Sequence, residues 1–239
     1  MQHTWRSGGV LKATAAAPDF DAATKYSFDW FKEQIDFLIN VPGQWNILET
    51  YEATRAVRPY PHDGLKNLDP DLFIFYDHGN EDHLVSNDST SLFNESDLPL
   101  LKGRSVYTMC CLAAKVLGIK AIHAGVLEWW GYTENYTFTL DALKEHGDVS
   151  GYGLRKAHVD GKALKDVLEE TKEYFYAKAD ELRASGRTVA AAIMVRDAEC
   201  LVCWHPGNVP TEPEPEPGLW EKILMLLKAL WDLLMSPWY

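Results

Sequence analysis

Asp71-Leu72-Phe73-Ile74-Phe75-Tyr76-Asp77-His78-Gly79 is the clearest indication of the fold in this sequence. Its first part is a short, continuous apolar run without the alternation of a half-exposed strand, which is typical of a parallel strand covered on both faces. A second run, residues 105–109, ends in Cys110-Cys111. The two runs therefore predict buried strands that are each followed directly by chemically useful side chains.

Segments of helical character alternate with these runs. The apolar spacing predicts a helix over residues 21–40, helix formers predict one over residues 112–118, and a charged amphipathic pattern predicts one over residues 162–184. Further strands are predicted at residues 45–48, 121–130 and 200–204, and residues 188–195 fit either a helix or a strand. The alternation predicts an α/β fold with an open, mostly parallel central sheet that is covered by helices on both faces.

Composition and charge exclude several classes of function. The 239 residues include 23 Lys and Arg against 35 Asp and Glu, for a net charge of -12, which argues against a nucleic-acid partner. The first nine residues carry no apolar run of the kind a secretory signal needs, so we expect a cytoplasmic protein.

The four cysteines lie in two close sets, Cys110-Cys111 and Cys200-x-x-Cys203. This spacing fits neither a disulfide framework nor the two spaced ligand pairs of a structural zinc site, so no metal is predicted. We instead expect Cys200 and Cys203 to be small apolar residues of a buried strand.

Ligands of open parallel sheets bind beyond the carboxyl ends of the strands. His78 and Cys111 each follow such an end, so we expect them to meet in one crevice. A thiol at the start of the predicted helix 112–118 is expected to favour the thiolate, because the helix N-terminus is positive. The imidazole can act as base and then as acid, and Gly79 lets the backbone approach a substrate carbonyl. This predicts a Cys-His dyad, with His83 as a reserve base.

The order of apolar strand, His-Gly, spacer, apolar strand, small residue and Cys resembles the caspase and gingipain type of cysteine peptidase over roughly residues 10–205. The most specific stretches are residues 72–84 and 106–113. Residues 124–133 are similar to the strand and loop after the nucleophile helix in the gingipain-like branch, the closest one. The resemblance implies a caspase-like three-layer sandwich that hydrolyses peptide bonds of a polypeptide substrate through a thioester.

The resemblance also implies roles for individual residues. Cys111 takes the position of the nucleophile and Cys110 that of the small residue before it, which packs. His78 would protonate the leaving amine, and the backbone amides of Gly79 and Cys111 would hold the oxyanion. No cofactor is implied, although some relatives need calcium, and the acidic loop at residues 81–82 carries oxygen ligands of the type that calcium takes.

Members of the family cleave after one chosen residue, which loops around the cleft select. Candidates for reading a basic side chain are Asp77, Glu128 and Glu134, with Trp129 and Trp130 as walls of the pocket. Each has an alternative role, since Asp77 can simply orient its neighbour and the two tryptophans can belong to the sheet core.

Two departures from the family pattern leave a second hypothesis open. The only apolar segment ahead of the first helix is residues 10–17, and residues 83–98 are rich in Asn, Asp and Ser. The departures leave open an incomplete or truncated sheet edge, or an inactive relative that serves as an interaction module. A hydrolase or transferase of small molecules is disfavoured, because the sequence has neither a G-x-S-x-G elbow nor a glycine-rich phosphate loop.

The C-terminal part of the chain predicts a separate unit. Residues 1–209 form the expected catalytic domain, residues 210–218 an extended Pro/Glu linker, and residues 219–239 an amphipathic helix with a wide apolar face. Such a helix needs a cover, so we expect it to dock on its own domain or on another protein chain, and secondly on a membrane surface.

Overall fold

The structure, a computed structural model, describes residues 10–211. The predicted linker, except for its first two residues, and the whole predicted C-terminal helix lie outside this range. The helices are α1 (Ala22–Asn40), α2 (Tyr60–Leu68), α3 (Leu98–Leu101), α4 (Leu117–His123), α5 (Leu143–Asp160), α6 (Leu168–Ala184) and α7 (Thr188–Cys200). The strands are β1 (Leu11–Ala17), β2 (Trp45–Glu52), β3 (Leu72–Tyr76), β4 (His83–Val85), β5 (Ser91–Asn94), β6 (Ser105–Met109), β7 (Glu128–Tyr132) and β8 (Leu201–Trp204).

Six strands form the central sheet in the order β2-β1-β3-β6-β7-β8. All neighbours are parallel except β7 and β8, which are antiparallel. Strands β4 and β5 make a separate antiparallel hairpin. In the register of β3 and β6, Tyr76 is opposite Met109, so the two strands end level with each other. The predicted α/β class with a mostly parallel sheet is confirmed.

Helices cover both faces of this sheet. On one face, α1, α5, α6 and α7 pack on the odd positions of β1 and on Leu72, Ile74 and Tyr76 of β3. On the other face, α2, α3, α4 and the β4–β5 hairpin pack on Phe73 and Phe75. The domain is a three-layer sandwich with an apolar core on each side of the sheet. None of its helices within residues 10–211 combines the length and apolar character needed to cross a membrane.

Strands β1 and β2, at one edge of the sheet, are longer than the sequence pattern predicted. Residues 10–17 contain a complete strand, β1, although alanine is a weak signal for strand structure. Ala13, Ala15 and Ala17 are fully buried because their small side chains let the covering helices approach closely. Strand β2 extends to Glu52 rather than ending at residue 48. The sheet is therefore not truncated at this edge.

Several predicted boundaries are corrected. The segment after Cys111 is a series of turns, and α4 begins only at Leu117. Residues 121–130 do not form one strand, because they contain the end of α4 and the start of β7. A short 3-10 helix, Leu164–Val167, precedes α6. Residues 188–195 are helical, and Cys200 is the last residue of α7 rather than the first of a strand. Of the expected pair of buried strand cysteines, only Cys203 is buried in β8.

Candidate active site

Four neighbouring parallel strands end at the same edge of the sheet. The loop after β1 carries Asp21, β3 is followed by Asp77 and His78, β6 by Cys111, and β7 by the loop with Tyr136. The connection from β1 to β2 runs through α1 on one face, and that from β2 to β3 through α2 on the other. Such a reversal opens a crevice between β1 and β3, which is where ligands of this architecture bind.

A cleft of about 90 Å³ lies at this edge. Its lining includes the two residues of the predicted dyad, His78 and Cys111, together with Asp77. The other residues that line it are Ala23, Thr24, Ser27, Trp30, Met109, Cys110, Tyr136 and Phe138. The cleft is thus lined by three titratable side chains, two hydroxyl side chains and otherwise largely apolar ones.

Gly79 lies where the segment after β3 packs on the segment after β6. A Cβ atom at this position would lie 2.7 Å from the carbonyl oxygen of Cys111 and 2.8 Å from Sγ of Cys110. Both separations are shorter than any normal carbon contact. Only glycine allows the His-Gly segment to pack directly on the Cys-Cys segment.

The amide of Gly79 faces away from the neighbouring hairpin. Gly79 and Leu84 form an isolated antiparallel bridge. The hydrogen bonds on either side of this bridge are made by the neighbouring residues. The amide of Val85 donates to the carbonyl of His78, and the amide of Asn80 donates to a carbonyl of the hairpin. Residues of such a pair do not bond each other, and their N–H groups point away from the partner strand. The Gly79 amide is therefore not consumed by this bridge.

Cys111 is half-buried, and its Sγ lies 3.8 Å from the carbonyl oxygen of Tyr136. Burial raises the pKa of its thiol. A backbone hydrogen bond with Tyr136 lowers this pKa by a smaller amount, and the carboxyl of Asp197 raises it further. The expectation of a thiolate at a helix N-terminus is thus wrong, because α4 begins six residues further on. Leu112, directly after the thiol, instead has a φ of 59°, in the left-handed region that costs a branched side chain energy.

Cys110 also lines the cleft, but its side chain belongs to the apolar core. Its side chain is 1% exposed and packs in the cluster that α4 and the β4–β5 hairpin form with the sheet. Burial holds the pKa of this thiol far above its ordinary value.

His78 has a partner that the sequence pattern did not reveal. Its Nε2 donates a hydrogen bond to Oδ2 of Asp21 over 2.9 Å, and the ring of Phe20 packs against the imidazole at 5.7 Å. Asp21 lies four residues after the end of β1. It can be found from the sequence only if the alanine-rich segment is recognised as a strand and the residues after its carboxyl end are examined.

Asp77 is a buried carboxyl that lines the cleft. It is 6% exposed, and no hydrogen bond of normal geometry reaches either of its side-chain oxygens. Burial raises the pKa of Asp77 to about 8. The nearby His78 amide opposes this rise, and the carboxylates of Asp21 and Asp19 add to it. A cationic group entering the cleft would meet an otherwise unpaired partner.

Glu128 is not part of the cleft, which corrects its prediction as a substrate-binding residue. It is the first residue of β7 and therefore lies at the opposite edge of the sheet. Its carboxyl accepts hydrogen bonds from the amides of Leu164 and Lys165, at 3.2 Å each, and from the hydroxyl of Ser105. Burial raises the pKa of this carboxyl, and its role is to hold the 3-10 helix before α6.

The predicted walls Trp129 and Trp130 are core residues. They are 0% and 1% exposed and point to opposite faces of the sheet, which corrects their assignment to the pocket. Glu134 is exposed on the loop after β7, near the cleft but not among its lining residues. Its carbonyl accepts the amide of Leu112, which ties this loop to the segment after the thiol.

The acidic loop considered for calcium is engaged in ion pairs. Glu81 pairs with Lys115, and Asp82 pairs with His83, both at 2.7 Å. Within residues 10–211, no three side chains of His, Cys, Asp or Glu converge in a way that would hold a metal ion. His83, the reserve base, does not line the cleft.

No protein-family model matches the sequence, and no curated protein is significantly similar to it. Among the solved structures that the chain resembles is one described as "Structure of Protease", with 15% identity and a TM-score of 0.49. The similarity covers 87% of this chain and 50% of that chain, so this chain spans about half of its length. A similarity of this size does not identify an activity.

Proposed function

We propose that this chain is a cysteine endopeptidase of the caspase and gingipain type, with Cys111 as nucleophile and His78 as the group that carries its proton. The observation that carries the proposal is the shared cleft, in which two segments about 30 residues apart are packed together through Gly79. Two independent strand ends deliver a thiol and an imidazole to the place where ligands of this architecture bind.

The reaction begins with Cys111 in its thiol form, because burial disfavours the thiolate. His78 takes the thiol proton while Sγ forms a bond to the scissile carbonyl carbon, and the carbonyl oxygen becomes an oxyanion. The amides of Gly79 and Cys111 donate hydrogen bonds to that oxygen. His78 then protonates the leaving amine as the C–N bond breaks, and water hydrolyses the resulting thioester.

Asp77 supports a preference for a basic side chain on the substrate. Its carboxyl is buried and unpaired beside Cys111, and the aromatic rings of Trp30, Tyr136 and Phe138 offer apolar contacts to an aliphatic stem. Pairing with a lysine or arginine side chain would offset the cost of ionising this buried group. Glu134 would add negative charge at the outer part of the cleft.

The nucleophile is tested with a mixed peptide library and with a thiol-reactive peptide probe that carries lysine. We expect Cys111→Ala to lose more than about 1000-fold in cleavage and all labelling of this position. Cys200→Ala is the matched control, since Cys200 is also a half-buried thiol but does not line the cleft. Equal labelling of the wild type and Cys111→Ala would reject the enzyme and leave the interaction module as the better hypothesis.

The substrate preference is tested with paired peptides that differ only in lysine or methionine at the cleaved position. The wild type should prefer lysine by at least about tenfold in kcat/KM, and Asp77→Asn should remove most of this preference while it still cleaves the methionine peptide. An unchanged preference in Asp77→Asn would show that another residue selects the substrate, and would not affect the assignment of Cys111.

A further inference from the structure

The loop that follows β7 is held by two neighbouring side chains of α7. Oδ1 of Asp197 accepts a hydrogen bond from the amide of Thr137 over 3.3 Å. Nη1 of Arg196 donates to the carbonyl of Asn135 over 2.9 Å and to the hydroxyl of Thr137 over 3.3 Å. The two side chains also face each other, with 3.8 Å between Nη1 of Arg196 and Oδ1 of Asp197. Residues 135–137 are therefore tied to α7 by both side chains.

The same loop contacts the segment of Cys111 in two places. The carbonyl oxygen of Tyr136 lies 3.8 Å from Sγ of Cys111, and the carbonyl of Glu134 accepts the amide of Leu112 over 3.1 Å. Leu112 has a positive φ, a conformation that persists only where surrounding contacts hold it. The position of the thiol therefore depends on the position of this loop.

Arg196 and Asp197 are close to the site without being part of it. Neither side chain lines the cleft. Asp197 is fully buried, whereas the side chain of Arg196 is 44% exposed. Within residues 10–211, Oδ2 of Asp197 has no hydrogen-bond partner, so only Oδ1 holds the loop. These two residues can act on Cys111 only through the loop or through their charges.

The two charges have opposite effects on Cys111. The carboxyl of Asp197 raises the pKa of the thiol, and the guanidinium of Arg196 lowers it. The other titratable groups that face Cys111 follow β3, β6 and β7 and are Asp77, His78, Cys110 and Tyr136. Removal of either charge of α7 should therefore shift the titration of the thiol in a direction that identifies the residue removed.

We propose that Arg196 and Asp197 are positioning residues for Cys111, which they hold in place through the loop at residues 135–137. The catalytic consequence rests on the proposed peptidase function, but the link from α7 to the thiol does not. With the loop fixed, the Tyr136 backbone holds Sγ in the cleft, so a substrate carbonyl meets a nucleophile that is already oriented.

Three variants test the two residues separately. Asp197→Ala removes both the acceptor for the loop and the charge, Asp197→Asn keeps an acceptor oxygen but removes the charge, and Arg196→Gln removes the guanidinium. Arg187→Gln is the matched control. Arg187, at the other end of α7, also donates to a backbone carbonyl, but to that of Asp141 rather than to residues 135–137.

The link to the thiol segment is measured by hydrogen–deuterium exchange of the Leu112 amide, relative to the amide of Ile74 in β3, which reports opening of the whole sheet. Asp197→Ala and Arg196→Gln should raise this relative rate by at least about tenfold, because release of the loop withdraws the acceptor of Leu112. Arg187→Gln should keep the wild-type ratio. Since Arg196 is partly exposed, Arg196→Gln provides the test even where Asp197→Ala does not fold.

The effect of the charges is measured as the pH profile of Cys111 alkylation by iodoacetamide, with the modified peptide identified by mass spectrometry. The pKa of Asp197 is about 8 and that of the Cys111 thiol is raised above its ordinary value, so Asp197 is ionised where the thiol titrates. Asp197→Asn should move the midpoint to lower pH and Arg196→Gln to higher pH, each by about half a unit. A role in folding alone would not give opposite shifts.

The consequence for the proposed reaction is measured by steady-state kinetics. Arg196→Gln should lower kcat by about tenfold, and Arg187→Gln should keep the wild-type kcat. A wild-type exchange ratio of Leu112 in Arg196→Gln, or alkylation midpoints that shift in the same direction in Asp197→Asn and Arg196→Gln, would overturn the inference. Failure of the proposed function would show differently, as a wild type that neither cleaves peptides nor takes the peptide probe while the exchange and alkylation results still hold.

Discussion

Gly79 sets the separation between the two segments that we assign to catalysis. An added methyl group would overlap the carbonyl of Cys111, which is backbone and moves only with the chain around it. We expect Gly79→Ala to lower the free energy of unfolding by about 1 to 3 kcal/mol through overpacking. Since the displaced segment carries the thiol, labelling of Cys111 by the peptide probe should also fall by at least about tenfold. Urea unfolding and labelling of the folded variant measure the two effects.

Gly118→Ala provides the control for that prediction. Its added Cβ would lie 2.7 Å from Cδ1 of Trp129, in the core on the α4 side of the sheet rather than in the cleft. It should lose a similar amount of stability while the folded protein keeps its labelling rate. Equal labelling by the Gly79→Ala and Gly118→Ala variants would show that Gly79 does not determine the geometry of the cleft.

Helices α1 and α5 approach closely through two glycines one turn apart. A Cβ at Gly147 would lie 2.3 Å from the indole of Trp30, and one at Gly151 would lie 2.0 Å from the end of the Gln34 side chain. Trp30 also lines the cleft, so the crossing of the two helices shapes the site. A rigid ring cannot move aside as the flexible end of a glutamine can.

We therefore expect Gly147→Ala and Gly151→Ala to differ. The first should lower the free energy of unfolding by about 1 to 3 kcal/mol, because the clash with Trp30 outweighs the helix propensity of alanine. It should also raise KM for the peptide substrate, since Trp30 moves. In the second, the propensity gain of about 1 kcal/mol should offset most of the cost. Thermal unfolding and steady-state kinetics measure both, and equal effects would contradict this account of the helix crossing.

The sequence predicts an element well when a strong apolar run is followed directly by chemically reactive side chains. It does not predict elements made of small residues, whose structure depends on close packing with distant parts of the chain. Strands β3 and β6 are bulky, continuous apolar runs, and the residues after them predicted two partners of the cleft. Strand β1 is rich in alanine, which carries little strand signal, so the sequence pattern does not point to its carboxyl end or to Asp21. Helix α5 was missed because Gly147, Gly151 and Gly153 weaken its helical pattern, although each allows close contact with a large neighbour.

Packing that the sequence does not show also explains why Trp129 and Trp130 were wrongly predicted as walls of the cleft. Trp129 and Trp130 follow each other in β7, and consecutive strand residues point to opposite faces of a sheet. With helices on both faces, both rings are buried. The actual walls come from residues far apart in sequence, Trp30 on α1 and Tyr136 and Phe138 after β7, which no local pattern connects.

The described domain contains two buried carboxyl groups with a pKa of about 8, those of Asp77 and Asp197. Burial is the main cause at both sites. Asp197 accepts the amide of Thr137 over 3.3 Å and so holds the loop that carries Tyr136 and Phe138. Because both groups bind their protons more tightly in the folded state than in the unfolded chain, folding takes up protons between about pH 4 and pH 8.

These two carboxyls should therefore lower the free energy of unfolding of the domain as the pH rises through this window, whereas the buried His146, whose pKa burial lowers to about 4, acts in the opposite direction between about pH 4 and pH 6.5. In the unfolded chain the two carboxyls ionise near pH 4, whereas in the folded protein they remain protonated until about pH 8. Each site should contribute on the order of 3 to 5 kcal/mol to the decline. Asp77→Asn and Asp197→Asn should each flatten the profile from urea unfolding at pH 4 to pH 9, and the double variant should flatten it further. Asp36→Asn, which changes an exposed carboxyl on α1, should leave the slope unchanged. A wild-type profile with the same slope as those of both single variants would mean that both buried groups are ionised and paired in solution, and Asp77 would then not be free to receive a cationic substrate.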